Sequence, residues 1–405
     1  MKSLAIRLGA LGKNHPDVAT SYSKIGVLYH GMDDNDKALE YYTKSLSIKQ
    51  NELGENHSDL IPIYNNIGNL YNTEGNHDKA VEYYTKSLSI RIKTLGENHP
   101  DVATSYNKIG GVYKAKGDHD TALKCFMETL SIRLKTLGEN HPDVNHTFDK
   151  VGHVYNAKGD REKALEYFMK SLSIRLNTSE ENHPDVATSY DNIARVYHGK
   201  EGYGKALEYY MKSLSIRQEK LGEYHSDLIT IYNNVAGVCK SVGQYEKSVE
   251  YFTKTLSIRL KMLGKTHPDV ANSYDRIGGV YKAKGDHDNA LKYYMESLPI
   301  KLKALGQNDL NVAKTYHTIG DVYKAKGDHN NALEYYTKSL TIRLVTLGEC
   351  HPDVADCYSN IGYLYHVKGD HNKAKDNYNK SLSIRLKTLD DSHPQITSIR
   401  KNLAM

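Results

Sequence analysis

Apolar side chains recur along this chain at the spacing of one face of an α-helix. The first such face comprises Val18, Tyr22, Ile25 and Tyr29, which are spaced by four, three and four residues. Gly26 lies on the same face, where the missing side chain lets a second helix approach closely. The pattern predicts a helix of about four turns that ends near Gly31.

A second and longer helix follows each of these after a short turn. Gly75 marks the turn, and Asn76 is placed to cap the helix that follows, as are aspartates at the equivalent later positions. Its apolar face begins with Ala38, Tyr42 and Leu46. The segment GENHP ends the second helix, and a proline such as Pro100 opens the next first helix, where its missing N–H costs little. The sequence therefore predicts helical hairpins and shows no alternating strand pattern.

The hairpins repeat every 42 residues without insertion or deletion. Histidines mark the period at His15, His57, His99, His141, His183, His225, His267, His351 and His393, and Asp309 keeps the spacing at the one gap. Nine units are predicted over 17–394, with the remnant of a second helix over 1–16 and a partial repeat or capping helix over 395–405. Because one hairpin cannot bury its apolar face alone, neighbouring hairpins must stack.

Three positions give the unit a specific resemblance. A large residue recurs in the first helix, an Ile–Gly pair follows it, and an alanine recurs in the second helix, as in Tyr22, Ile25, Gly26 and Ala38. The unit resembles the tetratricopeptide repeat, and its 42-residue length and LGENHPDVA linker are similar to the repeats of kinesin light chains and related adaptor proteins. The resemblance implies an all-α, right-handed superhelical solenoid of stacked helix-turn-helix hairpins. It also implies a non-enzymatic scaffold for protein–protein interaction.

Composition narrows the class of protein further. The net charge of +5 over 405 residues excludes a strongly basic nucleic-acid binder. Binding of single-stranded RNA is not expected either, because the protein lacks the dense positive charge that RNA binding requires. No run of 18 apolar residues predicts a membrane span. Four cysteines form no disulfide framework, which favours a reducing, cytoplasmic location. Cys125 and Cys239 occupy aromatic places in the repeat and are predicted to be core residues.

The repeated His-Pro-Asp motif is interpreted as linker and helix cap. Neighbouring repeats stack about 10 Å apart, whereas metal–nitrogen bonds are about 2 Å long, so one ion cannot collect ligands across them. A glycine- and lysine-rich segment over 199–205 resembles a phosphate-binding loop, but Ala206 follows where a hydroxyl should hold magnesium. His146 and His153 share a helix face with Asp149, and their separation of about 10.5 Å favours a solvated face over a metal site. We therefore expect no enzyme, no metal and no cofactor.

The resemblance implies that the first helices line a concave inner wall. Its positions are those of Thr20, Ser23, Lys24, Val27 and His30 and their equivalents every 42 residues, here called the inner-wall positions. The predicted peptide-binding residues are Lys24, Asn66, Lys108, Lys114, Lys150, Asn192, Arg195, Asn234, Lys240, Arg276, Lys282, Lys324 and Asn360. By resemblance, the four asparagines hold the backbone of an extended peptide.

Charge at the inner-wall positions predicts the kind of partner. Ten lysines and arginines face five aspartates there, Asp149, Asp191, Asp275, Asp321 and Asp356, which leaves a net charge of +5. The predicted partner is an acidic or mixed acidic–aromatic protein segment. The alternative interpretation is that the charged residues at the inner-wall positions are merely the solvated polar residues of exposed helices. The alternative function is a self-associating structural solenoid, or a fragment of a larger multidomain protein of the same repeat.

One joint departs from the pattern. Pro299 replaces a serine inside a second helix, and Asp309-Leu310 replaces His-Pro in the linker that follows. Since proline removes a backbone hydrogen bond from a helix interior, a hinge is predicted between the seventh and eighth repeats.

Overall fold

The computed structural model describes residues 2–404, and the side chains of residues 4–404, as two compact units. The helices of the first unit, which ends at Lys200, are α1 (Lys2–Leu11), α2 (Pro16–Gly31), α3 (Asn35–Leu53), α4 (Ile61–Thr73), α5 (His77–Leu95), α6 (Pro100–Lys116), α7 (His119–Leu137), α8 (Pro142–Ala157), α9 (Arg161–Thr178) and α10 (Pro184–Gly199). A 3-10 turn, Ser58–Leu60, precedes α4. Within residues 2–404 the regular structure is helical, without a strand.

The second unit begins at Glu201 and has the same construction. Its helices are α11 (Tyr203–Leu221), α12 (Leu228–Ser241), α13 (Tyr245–Leu263), α14 (Pro268–Lys284), α15 (His287–Leu305), α16 (Leu310–Lys326), α17 (His329–Leu347), α18 (Pro352–Val367), α19 (His371–Arg385) and α20 (Pro394–Leu403). In each unit an even-numbered first helix packs on the odd-numbered second helix that follows, and that second helix packs on the next first helix. The predicted all-α repeat fold is confirmed. None of the helices in this described part is long and apolar enough to cross a bilayer.

The His-Pro-Asp motif caps the first helices. Nδ1 of His99 accepts a hydrogen bond from the backbone N–H of Asp101 at 3.1 Å, and Pro100 occupies the first helical position. Asp309 replaces the histidine before α16 and also caps the helix, because its carboxylate accepts a hydrogen bond from the backbone N–H of Asn311 at 2.7 Å. The interpretation of this motif as a cap is therefore confirmed, and the departure at Asp309 leaves the cap intact.

The turns within the hairpins also follow the sequence. Asp118 Oδ1 accepts a hydrogen bond from Thr121 N–H at 3.1 Å at the start of α7. The same cap is made by Asn76, Asp160, Asp286, Asp328 and Asp370, as predicted. The residue before the cap adopts a left-handed backbone, as at Gly117 with φ 81°. Asp33 and Glu201 adopt this backbone without being glycine, with φ of 58° and 59°.

Close packing inside most hairpins depends on a glycine of the first helix. A Cβ built on Gly26 would lie 2.7 Å from the ring of Tyr42, and one on Gly68 would lie 2.8 Å from the ring of Tyr84. Real Cβ atoms do not approach this closely, so the aromatic ring occupies the space that a side chain would need. The predicted close approach at Gly26 is confirmed.

In several repeats an arginine of the second helix bonds to the first helix of the next hairpin. Nη1 of Arg133 donates to the backbone oxygen of Asp143 and to Oγ1 of Thr147, both at 2.9 Å. Equivalent bonds are made by Arg91, Arg175, Arg259 and Arg343. These bonds satisfy a carbonyl in the first turn of the next helix, so stacking is directional as well as hydrophobic.

Core and hinge positions lie as follows. Cys125 and Cys239 are buried, which confirms the prediction that they are core residues. Helix α15 continues without interruption through Pro299. The hinge at this joint stays a prediction, because a continuous helix does not report how readily it opens.

Candidate functional site

Two lysines on neighbouring first helices of the first unit bond to amide oxygens. Nζ of Lys108 lies 3.1 Å from Oδ1 of Asn69, and Nζ of Lys150 lies 2.7 Å from Oδ1 of Asn107. In each pair the two residues belong to successive repeats, so these bonds run along the inner-wall positions. A neutral amide accepts the hydrogen bond without cancelling the charge. Neither hydrogen bond therefore neutralises the positive charge of the lysine that donates it.

Burial makes these two charges costly. The pKa of Lys150 is lowered to about 8, first by burial and then by the nearby charges of Arg133 and Lys114. Burial also lowers the pKa of Lys108, with a smaller contribution from Arg91. A partly desolvated ammonium gains more from a nearby anion than a fully hydrated one. An anion placed beside Lys108 or Lys150 would therefore stabilise the charged form of that lysine.

The other predicted residues of the first unit differ in exposure. Lys24 and Lys114 are exposed, and Asn66 is half-buried. Asn192 is only 4% exposed, and its amide oxygen accepts a hydrogen bond from the exposed Arg195. Little of the Asn192 amide is left for a ligand, whereas Asn66 still presents part of its side chain.

Asp149 does not cancel the charge of the wall, because it is bonded to a cation of the second helix. Its Oδ2 lies 2.7 Å from Nη2 of Arg175, and both residues are buried. The prediction of a solvated face holds for His146, which is exposed, but it is wrong for Asp149, which is buried against Arg175 of α9, and for the half-buried His153. The ring of His153 meets Phe168 edge-on at 5.0 Å, and burial lowers the pKa of His153 to about 4.

In the second unit one wall aspartate does bind a wall lysine. Nζ of Lys282 lies 2.8 Å from Oδ2 of Asp321, and the hydroxyl of Tyr336 donates to Oδ1 at 2.7 Å. Burial acts to raise the pKa of Asp321, but the bonds from Lys282 and Tyr336 outweigh it and lower that pKa. This carboxylate is therefore ionised, and it neutralises the charge of Lys282 in this part of the wall.

The next repeat repeats the amide pairing of the first unit. Nζ of Lys324 lies 2.9 Å from Oδ1 of Asn360, whose Nδ2 lies 3.4 Å from Nε2 of His317. Asn360 is thus engaged on both sides of its amide group. Burial, the largest cause, lowers the pKa of Lys324.

The remaining predicted residues of the second unit cluster near α14. Arg276 is exposed, and its guanidinium lies 5.8 Å from the centre of the Phe252 ring. Lys240 and Asn234 are half-buried. Asp275 is bonded to Lys301 of α15, and in α18 Asp356 is bonded likewise to Arg385 of α19. Two further wall carboxylates are thereby neutralised by cations outside the wall.

Sequence reasoning missed these cations of the second helices. Arg175, Lys301 and Arg385 occupy one position of the 42-residue period and hold the wall aspartates. The signal was present, because a cation recurs at this position, in a Ser-Ile-Arg motif for most repeats. Among the residues whose side chains are described, no group of three histidine, cysteine, aspartate or glutamate residues is placed to hold a metal ion.

Comparison with known families finds the repeat throughout the chain. The family model of the tetratricopeptide repeat matches residues 1–51, 59–135, 101–177, 143–219, 227–303 and 311–387. No curated protein matches the sequence. The signal transduction ATPase with numerous domains from Pyrococcus horikoshii, which has a tetratricopeptide repeat sensor, is similar in structure with a TM-score of 0.57 and 16% identity. That match covers 90% of this chain and 54% of the other.

Two smaller structures are also similar. The C-terminal part of a tetratricopeptide repeat protein from Cytophaga hutchinsonii has a TM-score of 0.50 and 14% identity, covering 72% of this chain and 97% of that one. A kinesin-light-chain-type protein from Podosopora anserina, described by its nearly identical TPR-like repeats, has a TM-score of 0.47 and 23% identity, covering 51% of this chain and 97% of that one. At these identities the likeness concerns the fold.

Proposed function

Because the chain belongs to the tetratricopeptide repeat family, we propose that it is a non-catalytic scaffold that holds a segment of a partner protein against the inner-wall positions. Proteins of this family typically serve as scaffolds for protein partners. The observation that carries the proposal is the charge pairing of the wall. Lys108 and Lys150 bond to neutral amides, while Asp149 is bonded to Arg175 on the neighbouring second helix.

The free positive charge supports an acidic or mixed acidic–aromatic partner segment. An anionic side chain reaching Lys150 would gain charge-assisted hydrogen bonds in a partly desolvated place. We expect an affinity of roughly micromolar, about −8 kcal/mol. Because exposed charges contribute to encounter, binding should weaken with salt, as the Debye length falls from about 10 Å at 0.1 M to about 3 Å at 1 M.

The wall asparagines divide into two groups in this proposal. Asn66 and Asn234 are half-buried and present amide surface to an extended backbone. Asn192 and Asn360 hold cations of the wall in place, since each gives its oxygen to one of them. Replacing Asn234 with alanine should therefore lower the binding affinity without lowering the melting temperature. Replacing Asn192 with alanine should lower both the binding affinity and the melting temperature.

The test is a comparison of acidic and basic peptide pools at low salt. Fluorescence anisotropy should show the acidic pool binding at least tenfold more tightly, and Lys150→Gln should weaken this preference. Lys170→Gln is the matched control, because it removes the same charge from an exposed pair with Glu166 on α9, away from the wall. Equal binding of the two pools, or an equal effect of the two variants, would reject the proposal.

Self-association is the second candidate, and exposed apolar side chains on α2 favour it. Leu28 is 67% exposed and Met32 is 73% exposed, whereas Leu70, the equivalent of Leu28 one repeat later, is fully buried. A second copy covering this surface would bury the apolar side chains. Light scattering over a range of concentrations separates this candidate from a monomeric scaffold. A mass that does not change with concentration would exclude self-association.

We also place the scaffold in the cytoplasm. The support is that Cys125, Cys239 and Cys357 are free thiols buried in the hairpin cores, where they pack as small apolar residues. A fluorescent fusion found in an oxidising compartment would contradict this placement.

A further inference from the structure

The second unit contains a cavity of about 410 Å³ between the first helices α12, α14 and α16. Gly237 and Gly279 lie at the same place in successive repeats and leave this space open, because neither carries a side chain. Lys240, Arg276 and Lys314 bring positive charge to its lining. The cavity lies at inner-wall positions of the second unit.

In the following repeat, the equivalents of two lining residues, Lys240 and Tyr294, bind a carboxylate. There, Asp321 receives hydrogen bonds from Lys282 at 2.8 Å and from the hydroxyl of Tyr336 at 2.7 Å. Each of these three residues has an equivalent 42 positions earlier, and the equivalents are Gly279, Lys240 and Tyr294. The two donors are thus repeated in the cavity, while the carboxylate between them is replaced by glycine.

Both donors point at the space that the carboxylate side chain would enter. Nζ of Lys240 and the hydroxyl oxygen of Tyr294 each lie 3.6 Å from the position of a Cβ on Gly279. Tyr294 is 5% exposed, and within the described part of the chain its hydroxyl has no hydrogen-bond acceptor. Nor does Lys240 have a hydrogen-bond or ion-pair partner among residues 4–404. The Tyr294 hydroxyl and the half-buried Lys240 ammonium, which have no acceptor among the described residues, can both donate to an oxygen atom brought by a ligand.

The charge of the cavity selects a dianion over a single carboxylate. Asp275 is bonded to Lys301, so these two lining charges cancel. Lys240, Arg276 and Lys314 remain, which is three positive charges where the Asp321 site has one lysine for one carboxylate. A phosphate monoester carries nearly two negative charges at neutral pH and offers three acceptor oxygens, which suits several donors at once.

We propose that the Gly279 cavity binds the phosphate group of a phosphorylated side chain of the partner protein. Lys240 and Tyr294 donate to the phosphate oxygens, as Lys282 and Tyr336 donate to the carboxylate of Asp321 one repeat later. Arg276 and Lys314 reach the phosphate from the rim of the cavity. This site rests on the proposed function, since it is one specificity-determining pocket on the same wall. Oδ1 of Asp275 is buried without a hydrogen-bond partner among the described residues and can accept a donor of the bound segment.

The titration of Lys240 supplies an independent readout. Burial, followed by the charge of Lys282, lowers the pKa of the Lys240 ammonium. A bound phosphate stabilises the charged form, so binding should raise that pKa. NMR of the lysine side chains with and without ligand measures this change directly.

The first experiment uses phenyl phosphate as the probe and calorimetric titration as the measurement. Wild-type protein should bind phenyl phosphate, and Gly279→Asp should weaken binding at least tenfold, because the new carboxylate takes both donors as Asp321 does. Gly111→Asp is the matched control, since Gly111 occupies the same repeat position in the first unit and has nothing within 4 Å of its Cβ place. Lys240→Gln should also weaken binding, which keeps the test decisive if one variant is unstable.

The outcomes separate the possible sources of the anion. Inorganic phosphate binding as tightly as phenyl phosphate would show a site for the free ion and overturn the proposal. A peptide with glutamate binding as tightly as its phosphorylated counterpart would overturn it as well, as would equal losses in Gly279→Asp and Gly111→Asp. Acidic peptides that bind the wall equally well in wild-type and Gly279→Asp protein would leave the scaffold function standing while this site fails.

Discussion

Asp149 and Arg175 form a buried ion pair, with 2.7 Å between Oδ2 and Nη2. Arg175 also donates to the backbone oxygen of Asp185 at 3.1 Å and to Oγ of Ser189 at 2.5 Å. One guanidinium thus connects two successive first helices. It fastens the stack and, at the same time, removes a negative charge from the wall.

Breaking this pair should be costly. Arg175→Met should destabilise the surrounding repeats by about 3–5 kcal/mol, because it leaves the Asp149 carboxylate buried and unpaired. Arg91→Met is the matched control: Arg91 makes the same bonds to Asp101 and Ser105, but Asn65 stands at the place that Asp149 takes relative to Arg175. Thermal unfolding together with hydrogen exchange over 142–199 measures the difference. Equal losses in the two variants would show that the ion pair adds nothing.

The turn at Glu201 should be open to improvement. Its φ of 59° is left-handed, and glycine occupies the equivalent place in most repeats. Since this backbone costs an L-residue about 1–2 kcal/mol, Glu201→Gly should raise the free energy of unfolding by roughly 1 kcal/mol. Asp33→Gly should gain less, because aspartate tolerates this conformation better. Denaturant melts of the two variants and of Glu201→Ala check the order. A stabilising alanine would contradict the backbone argument.

Acid should destabilise the first unit through His153. Burial, together with the charges of Arg195 and Lys114, lowers its pKa from 6.5 to about 4. The unfolded chain therefore binds a proton that the folded chain does not bind in this window. The resulting stability is fully present above about pH 6.5 and is lost as the pH falls towards about 4. The melting temperature of His153→Gln should fall less between pH 7 and about 4.5 than the melting temperature of the wild-type protein. Parallel losses would assign the acid sensitivity to other groups.

The joint around Pro299 should exchange amide hydrogens faster than the other joints. Helix α15 is continuous there and Asp309 caps α16, so any weakness comes from the backbone hydrogen bond that proline cannot donate. Segment-resolved hydrogen exchange should show less protection over 296–312 than over 254–270. Pro299→Ser, which restores the residue of the other repeats, should remove the difference. Equal protection in wild-type protein would mean that the joint is as stiff as its counterpart.

Short-range relationships made most of the fold readable from the sequence. His99 caps a helix two residues away, and Asp118 caps one three residues away. The glycine–aromatic contact between Gly26 and Tyr42 spans 16 residues inside one hairpin, and it repeats with the period. Patterns of this kind are local in the chain, so periodicity and cap chemistry suffice to predict them.

The wall itself was predicted only as a set of positions. Sequence offsets identified Lys108, Lys150 and Lys240, but they did not show which charges would be cancelled. That outcome depends on contacts between hairpins, such as the pair of Asp149 with Arg175 26 residues away.

The sequence by itself therefore determined the hairpin, its period, its caps and the sign of the wall charge. Only the tertiary structure decided which cations keep their charge and where the wall opens into a cavity. The Gly279 cavity depends on Tyr294 and Lys240, which come from a neighbouring second helix and from the preceding repeat. Their convergence is a matter of helix packing at ångström precision, which a one-dimensional pattern does not carry.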